Sequence, residues 1–211
     1  MVPAPPRPPS DHPITKLVFV ALLVAAIALA PAPAPVVAAE PDFVVEVFPH
    51  PDPDSHFSDT WGAARSGGRR HQGTDISAEK LTPVVAIADG FVELMRTGSW
   101  LSGNYVKLRH ADGWTSWYVH LNNDNPGTDD GDAPPDLTFA PGLEVGDFVN
   151  AGDLIGFVGD SGNAEPTVPH THFELRHDGR AVNPYPYLLA AWERQLRYWD
   201  ITLVLQLVAL Y

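Results

Sequence analysis

Short apolar runs rich in β-branched and aromatic residues, separated by Gly, Asp or Asn, dominate the middle of the chain. Seven such runs predict strands, at residues 83–88, 91–96, 104–110, 114–121, 148–151, 154–158 and 172–177. Ala111-Asp112-Gly113 and His177-Asp178-Gly179 favour tight hairpins, because Asp and Gly tolerate the positive φ that such turns need. The pattern predicts a mainly β fold, either an antiparallel β-sandwich or a partly open barrel.

The two ends of the chain differ from this middle part. Residues 1–16 are rich in Pro and are followed by an uncharged apolar run at 17–30, which is shorter than the roughly 20 residues of a membrane-spanning helix. We interpret residues 1–39 as a secretory signal peptide, or as an uncleaved membrane tether with a Pro-Ala linker. The protein is therefore expected to be secreted and to act in the cell envelope.

The C-terminal end favours a short helical segment after Tyr187, and residues 189–211 form a largely apolar tail. Eleven nearly uncharged residues at its end, 201–211, are too few to cross a bilayer as a helix. We favour a packed terminal segment over membrane contact.

The remaining chain predicts one domain with an inserted loop. Residues 40–56 form a lead-in with turn signals, and residues 57–188 carry the strands. Residues 122–141 interrupt the strands with Asp, Asn, Gly and Pro. Their composition offers little apolar surface for a packed element, so we predict an exposed loop.

Composition and charge restrict the chemistry. The 211 residues are 45% hydrophobic, enough for one domain with a core. The formal net charge of -13 argues against binding to nucleic acid, which requires Lys and Arg to displace counterions. Cysteine is absent, which excludes disulfides, a thiol nucleophile and thiolate ligands. Any metal must be held by His, Asp or Glu.

Two pairs of residues have spacings that suit metal binding. His71 and Asp75 are four residues apart, and this separation places both side chains on one face of either a strand or a helix. His170 and His172 alternate and would share one face of a strand. Each pair, taken singly, also fits ordinary surface residues.

A further histidine, His120, lies near the end of the predicted strand 114–121, where strand alternation would place it on the same face as Tyr118. Alone it would be a structural histidine. Catalytic zinc sites use three protein ligands, commonly His and carboxylate. Four histidines and one aspartate exceed this need, which suggests two uncoordinated imidazoles that transfer protons beside a metal.

These motifs, in this order, resemble the lysostaphin-like and LytM-like zinc metalloendopeptidases of bacterial cell walls. That family carries a His-x-x-x-Asp motif, a later His-Leu and a His-x-His, which here lie at 71–75, 120–121 and 170–172. Gly-Asn-Tyr-Val at 103–106, the Gly-rich run at 145–159 and Asn183-Pro184 are also similar. The resemblance covers residues 57–188 and implies a metallopeptidase domain there.

Carried over residue by residue, the resemblance implies that His71, Asp75 and His172 bind one zinc ion and that His120 and His170 are the catalytic, non-ligating pair. The implied activity is zinc-dependent hydrolysis of peptide bonds in peptidoglycan, in stem peptides or in cross-bridges. All five positions carry the residue types of the family motifs.

Other readings remain beside this one. A non-catalytic module that binds the cell wall or activates a hydrolase is the main alternative, and the five intact residues speak against it. The Gly-Asp turns also occur in biotinyl or lipoyl carrier domains, but such a carrier needs a modified lysine, and no lysine follows Lys107. At the start of the domain, Trp61, Gly62 and Arg65 also resemble the family, although ordinary packing with a surface arginine explains them equally well.

Overall fold

A computed structural model describes residues 43–209 of the chain. The predicted signal peptide or membrane tether, residues 1–39, lies outside these residues. The described part contains ten strands and one α-helix: β1 (His56–Phe57), β2 (Thr74–Ser77), β3 (Pro83–Val85), β4 (Gly90–Ser99), β5 (Gly103–Arg109), β6 (Trp114–Leu121), β7 (Phe148–Val149), β8 (Leu154–Phe157), β9 (His170–His177), β10 (Arg180–Val182) and α1 (Tyr185–Ala209).

Eight of the strands form one open antiparallel sheet. Its order is β1-β2-β9-β6-β5-β4-β7, and β10 pairs with β9 beside this path. β3 and β8 form a separate antiparallel pair. The prediction of a mainly β, antiparallel fold is confirmed.

The hydrophobic core lies between the small sheet and one face of the large sheet. Buried side chains of β3 and β8 belong to the same cluster as those of β5, β6, β9 and the first turns of α1: Val84, Ile155, Val106, Leu108, Tyr118, Phe173, Leu175 and Leu188. The opposite face of the large sheet is thereby left free for polar side chains.

Each of the seven predicted strands overlaps an observed strand, and both predicted hairpins are present. Asp112 and Asp178 have φ of 51° and 48°, and the glycine after each is also in the left-handed region, as two-residue hairpin turns require. The strands that prediction did not delimit, β1, β2 and β10, have two to four residues each. Runs this short carry too little alternation to be recognised.

The C-terminal helix is longer than the predicted short segment, with 25 residues. It begins where the Asn183 side chain accepts a hydrogen bond from the Tyr185 backbone N–H at 3.0 Å, as a helix-capping residue does. Leu188 and Ala191 are buried, whereas Tyr198 and Ile201 are exposed. No helix in the described range 43–209 combines the length and apolar character needed to span a membrane.

The loop at 122–141 is exposed in its middle and anchored at both ends. Asn122 and Phe139 are buried, and the Asn122 side chain donates hydrogen bonds to the carbonyl oxygens of Asp124 and Leu137 at 2.8 and 3.0 Å. The Lys80 ammonium contacts Asp124 at 2.7 Å. The loop therefore holds a defined path across the domain surface.

Candidate metal centre

Strand alternation on β9 separates core residues from a row of polar residues on the free face of the large sheet. Thr171, Phe173 and Leu175 are fully buried. His170, His172, Glu174 and Arg176 project from the other face and line a groove of about 780 Å³. The predicted common face of His170 and His172 is thus present.

Pairing of β2 with β9 brings Asp75 directly opposite His172. His71 lies three residues before β2 and reaches the same point. The His71 Nε2 atom lies 3.0 Å from Asp75 Oδ1 and 2.9 Å from His172 Nδ1. His172 Nδ1 lies 2.8 Å from Asp75 Oδ1. Three atoms that can each bind a metal therefore converge on one point.

The outward nitrogens of the two imidazoles act as hydrogen-bond donors. His71 Nδ1 lies 3.0 Å from the carbonyl oxygen of Thr60, which can only accept. His172 Nε2 lies 3.2 Å from the Glu174 carboxylate, which also accepts. In their neutral forms both imidazoles therefore direct a lone pair toward Asp75.

Two imidazole lone pairs and a carboxylate oxygen in mutual contact repel one another unless positive charge lies among them. Nitrogen and oxygen donors of this kind are those that zinc prefers, and tetrahedral ligands about 2.0–2.1 Å from the ion would lie roughly 3.3 Å apart. The observed separations of 2.8–3.0 Å need to widen by only a few tenths of an ångström. The three residues fit a zinc ion.

Without a metal ion, the same cluster attracts a proton. Burial alone raises the pKa of Asp75, but interactions with His172 and His71 outweigh it and hold that pKa well below its usual range. Burial alone lowers the pKa of His172, but the carboxylates of Asp75 and Glu174 raise it above its ordinary value. The site is built for positive charge.

Two neighbours complete this cluster. The Arg65 guanidinium contacts Asp75 Oδ2 and leaves Oδ1 for the site. Gly73 has no side chain because His172 lies against it: a Cβ there would be 2.7 Å from His172 Cε1 and 2.5 Å from the Phe173 carbonyl oxygen. The glycine between His71 and Asp75 is therefore required by the ring on the adjacent strand.

His120 enters the groove through an irregularity in β6. The pairing of β5 with β6 shifts register at this residue, and its φ of 66° lies in the left-handed region that side chains other than glycine rarely adopt. The predicted common face with Tyr118 is wrong: Tyr118 is fully buried and its hydroxyl accepts a hydrogen bond from the Ile87 N–H, whereas His120 lines the groove. A β-bulge at His120 directs its side chain to the face of the sheet opposite the one that strand alternation predicts.

The proposed catalytic pair lies beside the metal cluster. The ring centroids of His120 and His170 are 5.2 Å apart, and those of His120 and His172 are 6.0 Å apart. His170 Nε2 lies 3.9 Å from Asp75 Oδ1. All five residues predicted from the sequence are thus brought together, three in mutual contact and two at their edge.

Both flanking imidazoles have a defined tautomer. His120 Nδ1 donates to the carbonyl oxygen of Ser161 at 2.8 Å, and His170 Nδ1 donates to that of Val168 at 2.8 Å. Each neutral ring therefore keeps Nε2 as a base. Burial, and secondarily the charge of His170, lower the pKa of His120 to about 4.

Sequence reasoning missed the groups that orient these side chains. Glu174 could have been found, because it follows His172 by two residues on the same strand face. Thr60, Ser161 and Val168 contribute backbone carbonyls, which any residue type supplies. Their role was therefore invisible in the sequence.

The chain matches known proteins over the segments that carry this site. The sequence profile of peptidase family M23 matches residues 69–132 and 138–184, which make up more than half of the chain. The break between them falls inside the loop at 122–141.

Relatives and solved structures agree with this match. An L-Ala–D-Glu endopeptidase of Bacillus subtilis is 36% identical over 155 residues, which are 67% of this chain and 41% of that protein. A DD-carboxypeptidase/endopeptidase of Neisseria meningitidis is 38% identical over 117 residues, 55% of this chain and 22% of that protein. A Ruminococcus gnavus protein, assigned as a glycyl-glycine endopeptidase, is 30% identical in its crystal structure, with a TM-score of 0.55 over 71% of this chain and 61% of that one.

The chain spans less than half the length of the two curated relatives. Both segments of the family match nevertheless lie in the described domain, and together they include all five of the clustered residues. The chain belongs to peptidase family M23.

Proposed function

We propose that this protein is a zinc-dependent endopeptidase that cuts the peptide part of bacterial peptidoglycan. The observation that carries the proposal is the convergence of His71, Asp75 and His172, whose inward atoms lie within 3.0 Å of one another. The two imidazole nitrogens are held as acceptors by the hydrogen bonds that the opposite ring nitrogens donate, and the Asp75 carboxylate is ionised. Such a set binds a cation rather than a neutral molecule.

Zinc, when bound here, would lower the pKa of a water molecule toward about 7 and polarise a peptide carbonyl. The chain's own residues would move the protons. His120 and His170 each present an unprotonated Nε2 toward the groove, because Nδ1 of each is committed to a backbone carbonyl. One can accept a proton from water while the other, once protonated, can donate to the departing amine.

Burial lowers the pKa of His120 to about 4, so its imidazole is neutral at neutral pH and its Nε2 carries a free lone pair. His170 is more accessible than the buried His120, with a side chain that is 14% exposed. We therefore assign proton acceptance to His120 and protonation of the leaving group to His170.

The substrate class is supported by relatives of this chain. The Bacillus subtilis relative is an L-Ala–D-Glu endopeptidase and the Neisseria meningitidis relative a DD-carboxypeptidase/endopeptidase. The open groove, about 780 Å³ in volume, offers space for an extended peptide. The apolar segment at 17–30 supports export of the protein to the compartment that holds peptidoglycan.

The proposal is tested by digesting purified peptidoglycan with the full chain and reading product masses before chelation, after chelation and after zinc is restored. New peptide ends that vanish with chelator and return with zinc are expected. The His120→Ala variant should bind zinc and cut at least 100-fold more slowly, as loss of a general base implies. Zinc binding without any new peptide ends would instead favour a module that binds the wall or activates another hydrolase.

A further inference from the structure

The groove is rich in arginine although the protein is strongly acidic. The chain carries a net charge of -13, yet Arg65, Arg69, Arg70 and Arg176 all line the groove. Exposed charges more than about 8–10 Å away are largely screened at physiological ionic strength. A ligand inside the groove therefore experiences these arginines more than the acidic surface elsewhere.

Two of the four arginines are neutralised by the protein itself. Arg65 contacts the Asp75 carboxylate, and Arg176 donates to Glu174 through Nε at 2.8 Å. These two organise the site described above and have little charge left for a ligand.

The other two arginines contact only neutral groups. Arg69 donates to the Ser66 carbonyl and hydroxyl oxygens at 3.1 and 3.2 Å, and Arg70 donates to the Gly62 carbonyl oxygen at 3.1 Å. Within the described residues, no carboxylate lies within ion-pair distance of either arginine. Each guanidinium has five N–H donors, so most donors of both residues are free.

A hairpin loop, residues 62–71, holds these two arginines beside the metal cluster. Ala64 and Arg70 form an antiparallel bridge, Arg65 N–H donates to the Arg69 carbonyl oxygen at 3.0 Å, and His71 N–H donates to the Ala63 carbonyl oxygen at 2.9 Å. The loop ends at His71, itself part of the cluster. The two free guanidinium groups therefore line the groove from an ordered hairpin that ends at the metal cluster.

We propose that Arg69 and Arg70 form a carboxylate-binding subsite, and that the substrate is an acidic stem peptide with a free carboxylate near the bond that is cut. This inference rests on the proposed function and makes it more specific. Planar guanidinium groups bind carboxylates through two parallel hydrogen bonds. A cross-bridge made of glycine carries no side-chain carboxylate and would leave both arginines unused.

Two matched peptides test the proposal. One is a stem peptide with a γ-linked D-Glu whose α-carboxylate is free, and the other is the same peptide with that carboxylate converted to an amide. The zinc-loaded full chain should cleave the carboxylate peptide with a kcat/KM about 10- to 100-fold higher, as expected for a charge-assisted hydrogen bond. Raising the salt concentration should reduce the difference only in part.

Variants assign the preference to the subsite. The double variant Arg69→Gln with Arg70→Gln should cut the carboxylate peptide no faster than the amide peptide. Arg180→Gln is the matched control, because Arg180 is also exposed and lies on β10, away from the residues that line the groove. The Arg180→Gln variant should keep the full preference for the carboxylate peptide. If this variant also lost the preference, the net charge of the protein alone would be responsible.

Equilibrium binding of both peptides to the chelator-treated full chain separates this inference from the proposed function. Tighter binding of the carboxylate peptide, lost in the double variant, supports the subsite even if no peptide is ever cut. Cleavage that depends on zinc but does not distinguish the peptides overturns the subsite and leaves the endopeptidase standing. Equal binding of the two peptides overturns the subsite in either case.

Discussion

The left-handed backbone of His120 is a local cost that serves the groove. A residue with a Cβ is destabilised by about 1–2 kcal/mol in this region, whereas glycine is not. Its φ is 66°, and the Ser161 carbonyl holds its imidazole in place. Strained residues of this kind cluster at active sites and ligand-binding clamps, which agrees with the place of His120 in the groove.

Replacing His120 by Gly and by Ala separates the backbone cost from the imidazole. Both variants should lose activity by 100-fold or more. His120→Gly should be more stable than His120→Ala by about 0.5–1 kcal/mol. Glycine avoids the free-energy cost of the left-handed conformation, and this gain exceeds the additional conformational entropy that glycine loses on folding. Chemical denaturation measures the difference.

The same pair of substitutions at His170 is the control. His170 lies in β9 and has a backbone outside the left-handed region. His170→Gly should therefore be less stable than His170→Ala, because glycine loses more conformational entropy on folding. The same order of stability at both positions would contradict the explanation.

Glu174 orients His172 and stabilises its proton on Nε2. Partners of metal-binding histidines typically change metal affinity by 10- to 100-fold when replaced. Glu174→Gln keeps the shape of the side chain and removes the charge, so we expect about 10-fold weaker zinc binding in a chelator competition. Glu193→Gln, which alters an exposed residue of α1, should leave zinc affinity unchanged.

At the scale of elements, a single lysine joins segments that border the site. The Lys80 ammonium lies 2.7 Å from Asp124 in the loop at 122–141 and 2.9 Å from Asp160, which precedes Ser161. Burial alone lowers the pKa of Lys80, but its carboxylate neighbours raise it above its ordinary value. Lys80 therefore stays charged and connects the loop to the segment that holds His120.

Replacing Lys80 by Met should destabilise the protein by about 3 kcal/mol or more, because the buried carboxylates of Asp124 and Asp160 would lose their partner. Their side chains are only 1% and 5% exposed. Lys107→Met is the control: its partner Glu93 is 38% exposed, and surface pairs contribute about 1 kcal/mol or less. Equal losses in urea denaturation would show that burial of the carboxylates does not matter.

At the scale of the whole molecule, buried histidines make stability depend on pH. Burial lowers the pKa of His50 to about 3, and the ring lies between the hydroxyls of Ser55 and Thr171. In the unfolded chain His50 has its ordinary pKa of 6.5 and binds a proton below that pH. In the folded chain it binds this proton only near pH 3. Stability is thus lost as pH falls through this window.

The expected loss from His50 alone is about 2 kcal/mol between pH 7 and pH 5. His110 and His120, whose pKa values are also lowered by burial, add to it with the same sign. His50→Gln should flatten the pH dependence of the free energy of unfolding, whereas His56→Gln, at an exposed position, should not. An unchanged slope in His50→Gln would contradict the assignment.

The sequence by itself determined seven of the ten described strands and the identity of the clustered residues. Alternation of apolar and polar positions depends only on neighbouring residues, so β9 could be read with His170 and His172 on one face. Asp-Gly at both hairpins and the spacing of His71 from Asp75 are equally local. The family motifs then marked all five residues before any distance was known.

Only the tertiary structure decided how those residues face one another. The β-bulge that reverses His120 arises from pairing with β5, and strand alternation alone placed this side chain on the wrong face. The tautomer of His71 depends on its contact with the Thr60 carbonyl oxygen, and Lys80 meets Asp160 from 80 residues away in the chain. Such contacts depend on packing between distant segments, which local sequence patterns do not encode.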